Sequence, residues 1–75
     1  MSAETHDKAL AFLGAFKLAI EAERQAQAMY SRLKEMSDSE LLRQLFEGFR
    51  QDEVRHEHEL VSRYNKLRQE SGMED

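Results

Sequence analysis

Glu53 and His56, in the stretch Asp52-Glu53-Val54-Arg55-His56, stand three residues apart. On a helix that spacing brings a carboxylate and an imidazole onto one face, one turn apart. Phe49 lies a turn before the pair and Leu60 a turn after it, so both ionisable groups fall on the track the apolar residues define. A third ionisable group, Glu23, interrupts an apolar track further upstream. An unpaired carboxylate on a buried face is costly and is neutralised, ion-paired or used to hold a cation. Two carboxylates and one imidazole are oxygen and nitrogen donors, compatible with iron or manganese and not excluding zinc. The chain has no cysteine, so thiolate metal sites and disulfides are both ruled out.

The elements that must position these groups are helices. No proline occurs in the 75 residues, and the three glycines are isolated. From Lys8 to Glu35 the composition is that of a strong helix former, with Leu13, Phe16, Ile20, Glu23, Gln27 and Tyr30 spaced alternately three and four apart. Phe12, Ala19, Ala26 and Leu33 widen that stripe into a broad face. The segment Met36-Ser37-Asp38-Ser39 breaks the pattern; Ser37 with Glu40 fits a capping box, and Asp38 or Ser39 are alternative caps. A second stripe runs Leu42, Leu45, Phe46, Phe49, Glu53, His56, Leu60, Tyr64, Leu67. The expected organisation is a single domain: a flexible N-terminus (1–7), helix 1 (8–35), a turn (36–39), helix 2 (40–70) and a flexible tail (71–75).

Such a chain is all-α, an antiparallel helical hairpin, because the short connection leaves the helices no other arrangement. Each helix is roughly 40–45 Å long. A chain this small buries only about 60% of its unfolded surface, and two amphipathic helices leave apolar edges uncovered. A second copy would cover them, giving a four-helix bundle from a symmetric homodimer. Glu23 lies about fourteen residues before Ser37 and Glu53 about sixteen after it, so the hairpin brings Glu23 level with the Glu53–His56 turn. The dimer then holds four carboxylates and two imidazoles. That set is the recipe of a di-iron or di-manganese carboxylate bundle: one Glu from each of two helices and Glu-x-x-His from each of the others.

These residues carry a resemblance. Glu23 with Tyr30 in Glu-Arg-Gln-Ala-Gln-Ala-Met-Tyr, the Glu53/His56 pair, and Leu-Leu-Arg-Gln-Leu-Phe-Glu-Gly-Phe before it together resemble the ferritin-like superfamily. The likeness is to its two-helix encapsulated-ferritin-like and rubrerythrin-type members and covers residues 19–64. It implies a di-iron site between subunits, one pair per dimer, with Glu23, Glu53 and His56 as metal ligands and catalytic residues. It further implies a ferroxidase oxidising Fe(II) with dioxygen or peroxide, for iron storage or protection against oxidative stress. Assembly beyond the dimer and an encapsulin shell as partner belong to the encapsulated members. This chain ends in Ser-Gly-Met-Glu-Asp, with no targeting tail of that family's kind, and without cysteine it lacks a rubredoxin-like centre.

Each residue also has a plainer reading. Glu23 could reach solvent beside Arg24 or Lys17, Glu53 could pair with Arg50 or Arg24, and His56 could be an ordinary interface histidine. Tyr30 belongs to the core, where its phenol could orient a ligating carboxylate. Glu57, four residues after Glu53, could touch the site or its mouth. His58 and His6 read as surface. Glu21, Glu47, Asp52 and Glu59 read as solvated flanks, some of which could draw cations inward. The alternative to an iron oxidase is therefore a non-enzymatic helical dimerisation module whose Glu/His set fixes register, or a structural metal-binding protein holding zinc. The formal charge of −4, without any Lys/Arg block, argues against nucleic acid. No apolar run is long enough for a membrane span, and the polar, acidic N-terminus is unlike a signal peptide, so a cytoplasmic location is expected.

Overall fold

The structure, a computed structural model, describes the backbone of residues 3–72 and the side chains of residues 7–72. Two helices account for nearly all of it: α1 (Ala3–Met36) and α2 (Glu40–Glu70), with no strand among the described residues. They pack side by side as a hairpin measuring 56 × 17 × 14 Å. No described helix is long and apolar enough to cross a membrane.

Helix α1 starts at Ala3, five residues before the expected boundary, so residues 3–7 are helical rather than a loose lead. The lead is polar, but nothing in Ala-Glu-Thr-His-Asp breaks a helix, and Asp7 in the early turns is compatible with the helix dipole. The helix ends at Met36, and the connection is the three residues 37–39.

Ser39 is the residue that caps α2. Its backbone is extended (φ −108°, ψ 125°), and its hydroxyl accepts a hydrogen bond from the Leu42 amide at 3.3 Å. Ser37, the other serine of the turn, braces the connection instead: its Oγ donates to the Ser39 carbonyl at 3.2 Å and accepts from the Ser39 amide at 3.3 Å. Arg43 closes the corner by donating to the Ser37 carbonyl (2.7 Å) and to Glu40. The far end of α2 stops where Gly72 takes φ +68°, a left-handed conformation that glycine adopts without steric cost. The Ser71 amide and hydroxyl both donate to the Leu67 carbonyl there. Of the expected tail, residues 73–75 lie outside the described residues, as do residues 1 and 2 of the expected N-terminal lead.

The hairpin cannot hide its own apolar face. Among the described residues Ala9, Leu13 and Ile20 alone are buried, all on α1, and α2 has no buried residue. Phe12, Leu42, Leu45 and Phe49 are exposed, as are Leu18, Met29, Met36 and Leu41. The accessible surface is 5628 Å² for an 8.8 kDa chain, whereas a compact chain of that mass shows about 4,800 Å². Leu42, Leu45 and Phe49 continue by steps of three and four into Glu53 and His56, and Phe12 continues likewise through Phe16 and Ala19 into Glu23. Of the uncovered apolar residues, Phe12, Leu42, Leu45 and Phe49 therefore lie on the helix tracks that carry the three ionisable ones.

Candidate metal centre

Each of the three groups is placed by its helix. Glu23 follows Ile20 by one turn, and the burial of Ile20 against α2 directs Glu23 toward the groove between the helices. Glu53 and His56 share one face of α2 by their spacing. Counting across the 37–39 connection brings that face level with Glu23, and the side chains meet. One ligand atom from each of Glu23, Glu53 and His56 lies within 4.8 Å of the others. His56 Nδ1 stands 3.6 Å from Glu23 Oε2 and 3.5 Å from Glu53 Oε2, nearly midway between the two carboxylates. The carboxylates are largely covered, and the imidazole, 55% exposed, forms the outer rim.

The cluster is short of hydrogen-bond partners. Glu23 Oε2 is buried, yet no donor reaches it within hydrogen-bond distance. A buried carboxylate oxygen is normally satisfied, so an orphaned one needs an explanation, and an unplaced ion is among the standard ones. None of the ion pairs among the described residues joins a lysine or arginine to Glu23 or Glu53. The cations that could have neutralised them are engaged elsewhere. Arg24 Nε donates to Glu57 Oε2 at 3.0 Å; Arg50 donates to Glu47 at 2.6 and 2.9 Å; Lys17 lies over the Tyr64 ring at 6.0 Å. The ion-paired alternatives for Glu23 and Glu53 are thus not the ones the side chains adopt.

Two clasps bracket the cluster along the hairpin. Toward the connection, Glu47 receives Arg50, Gln51 (2.9 Å) and, from α1, Lys34 (3.2 Å). These hydrogen bonds, that of Arg50 foremost, hold the Glu47 carboxyl far below its ordinary range, and Glu47 in turn raises the Arg50 guanidinium. Toward the open end, Glu57 receives Gln27 at 2.7 Å and Arg24 at 3.0 Å, and these two donors lower its carboxyl. Glu57, next to His56 and one turn beyond Glu53, is therefore a cross-helix tie, and its carboxylate is already engaged. Tyr30 packs against Phe49, ring centroids 5.4 Å apart, and no hydrogen bond among the described residues joins its hydroxyl to Glu23 or Glu53. His58 is exposed, and the His6 side chain lies outside the described ones.

Glu47 and Gln27 have more definite roles than the sequence reading assigned. Glu47, expected on a solvated flank, is the centre of the first clasp. Counting across the connection does not give these pairs, since Lys34 lies three residues before Ser37 and Glu47 ten after it, and Gln27 ten before and Glu57 twenty after; the contacts are made by long side chains reaching along the groove.

Two oxygens and a nitrogen from adjacent helices suit a divalent first-row metal, and the buried Glu23 Oε2, which accepts no hydrogen bond and meets no lysine or arginine among the described residues, is a ligand atom open to such an ion. Three protein ligands would leave further coordination positions to water, substrate or another chain. No protein-family model matches the chain, and no curated protein or solved structure matches it either.

Proposed function

We propose that this hairpin is a ferritin-like half-bundle that pairs with a second copy, binds Fe(II) at the shared Glu23, Glu53 and His56, and oxidises it to Fe(III). One observation carries the reading: a buried carboxylate oxygen of Glu23 that accepts no hydrogen bond, inside a cluster of two acids and an imidazole that no lysine or arginine among the described residues neutralises. The pairing is supported by the exposed apolar residues around the cluster. The surface in excess of a compact chain is close to the roughly 800 Å² that each partner gives to a standard interface. A two-fold axis near the cluster would double the donors to four carboxylates and two imidazoles, the set that holds two metal ions in such bundles.

Iron is the substrate in this reading. The carboxylates of Glu23 and Glu53 carry the negative charge that favours the more highly charged ferric product over the ferrous substrate. His56 supplies a neutral nitrogen donor at the rim, where the oxidant arrives. Two Fe(II) give up two electrons; dioxygen with two protons takes them up as hydrogen peroxide, or peroxide with two protons is reduced to two waters. A solid bundle of this size leaves no room for mineral, so the ferric product passes to a separate store. Manganese at the same ligands, or zinc in a structural role, are the alternatives the donor set admits.

The test is an anaerobic Fe(II) titration of metal-free protein followed by air, read by near-ultraviolet absorbance, with Glu53→Leu/His56→Leu as control. Saturation at about one iron per chain, then oxidation that the control lacks, is the expected result. Oxidation no faster than that of free iron would overturn the oxidase reading. The exposed apolar face favours one second reading, a non-enzymatic dimerisation module whose Glu/His set fixes register. In that case the control would pair as tightly as the wild type and neither would bind iron.

A further inference from the structure

Glu57 lies one turn beyond Glu53 on α2, and Arg24 directly follows Glu23 on α1. Two guanidiniums adjoin the cluster in sequence, Arg24 after Glu23 and Arg55 before His56; Arg55 is held by Asp52 on its own helix, and Arg24 is held across the groove by Glu57, one turn from Glu53. Positions four apart on a helix have Cβ atoms about 5–6 Å apart, within the sweep of an arginine side chain. Arg24 could therefore reach the cluster carboxylates if Glu57 did not hold it. The hold is two-handed. Glu57 Oε2 takes Arg24 Nε at 3.0 Å, and Oε1 takes Gln27 Nε2 at 2.7 Å, which fixes the carboxylate in the plane that Arg24 meets. Gln27 is itself one turn from Glu23, so both arms of the clasp are anchored on the turns next to the cluster.

We propose that Glu57, oriented by Gln27, is a positioning residue that withholds Arg24 from Glu23 and Glu53 and so keeps the cluster anionic and open to a divalent cation. This inference rests on the metal-binding reading above and extends it to what regulates the charge of the site. A staple that only fastened α1 to α2 would serve equally well with the charges reversed between helices or with two amides. A carboxylate on the side facing Arg24 does more, because it removes from the site a cation that would compete with the metal.

The test uses Mn(II) alone as probe, read by loss of the free-ion paramagnetic resonance signal, on wild type, Glu57→Gln, Arg24→Gln and the double variant. The Arg24 side chain is 58% exposed, so releasing it leaves no buried charge, and circular dichroism checks that helicity is kept. Glu57→Gln is expected to weaken Mn(II) binding about fivefold, the upper end of what a solvent-reached ion pair shifts. Arg24→Gln is expected to leave the wild-type affinity unchanged yet restore it in the Glu57→Gln background, a non-additivity that reports capture of Arg24 by the cluster. Unchanged binding in Glu57→Gln would overturn the proposal. So would equal strengthening by Arg24→Gln in both backgrounds, which is the signature of a diffuse field rather than of a guanidinium moving into the site. A wild type that binds no Mn(II) would instead overturn the metal site itself, and the role of Glu57 with it.

Discussion

Four glutamates near the middle of the hairpin, Glu23, Glu53, Glu47 and Glu57, are covered to nearly the same degree, with side chains 20–26% exposed. Their surroundings are opposite. Glu47 and Glu57 are saturated by Lys34, Arg50 and Gln51, and by Arg24 and Gln27. Glu23 and Glu53 have no lysine or arginine partner among the described residues; His56 Nδ1 stands 3.6 and 3.5 Å from them, and the buried Glu23 Oε2 accepts no hydrogen bond. Burial alone therefore does not separate a structural carboxylate from a candidate ligand. What separates them is where the available cations have gone. The clasped pair ties the helices together; the unclasped pair is left with capacity to bind something else.

The comparison breaks most sharply when the unclasped side is removed. Glu53→Leu/His56→Leu is expected to abolish tight divalent-metal binding while leaving thermal stability unchanged or raised, because apolar replacements of an unsatisfied polar set on a bundle face remove a desolvation penalty. Calorimetric metal titration and thermal melts of the two proteins check both halves. Glu23→Gln comes next. It keeps the shape but gives up the charge, and a loss of at least about tenfold in Mn(II) affinity is expected, as removal of even a supporting group costs that much. Glu47→Gln, by contrast, should leave Mn(II) affinity nearly untouched.

The clasped side is expected to show itself in acid. The folded-state carboxyls of Glu47 and Glu57 lie below the ordinary value of 4.5. Depressed carboxyls contribute stability that is fully present above the unfolded value and is lost as pH falls through the folded ones. Melting temperature should therefore hold from neutrality to about pH 5 and fall below it. Glu47→Gln and Glu57→Gln should flatten that decline, and a decline of the same slope in the double variant would contradict the assignment. The smallest effect is at the connection. Ser39→Ala removes the cap of α2 and is expected to cost about 1 kcal/mol, whereas Ser37→Ala, which leaves that cap intact, costs less in the same denaturant titration.

Much of this arrangement was legible in the residues. Composition and the three-and-four spacing mark both helices, and counting from Glu23 and Glu53 to the connection aligns the cluster. The start of α1 was not legible, because polarity at residues 3–7 resembles a loose terminus while every residue there tolerates a helix. The choice of Ser39 over Ser37 as cap was open for a similar reason: both side chains can accept the amide, and only the chain path decides. Which arginine pairs with which glutamate was equally beyond reach. Arg24 and Arg50 can each be drawn to Glu53 on a helical projection, but the long side chains settle on Glu57 and Glu47, where second donors from Gln27, Lys34 and Gln51 complete each clasp.

The most direct test of the central claim is anomalous scattering at the iron edge from crystals loaded with Fe(II) without oxygen. The account predicts density at about one iron per chain, bounded by Glu23, Glu53 and His56 from two copies of the hairpin. Iron found only at surface carboxylates, or a well-formed pair of hairpins with hydrogen-bonded Glu23 and no metal between them, would contradict it.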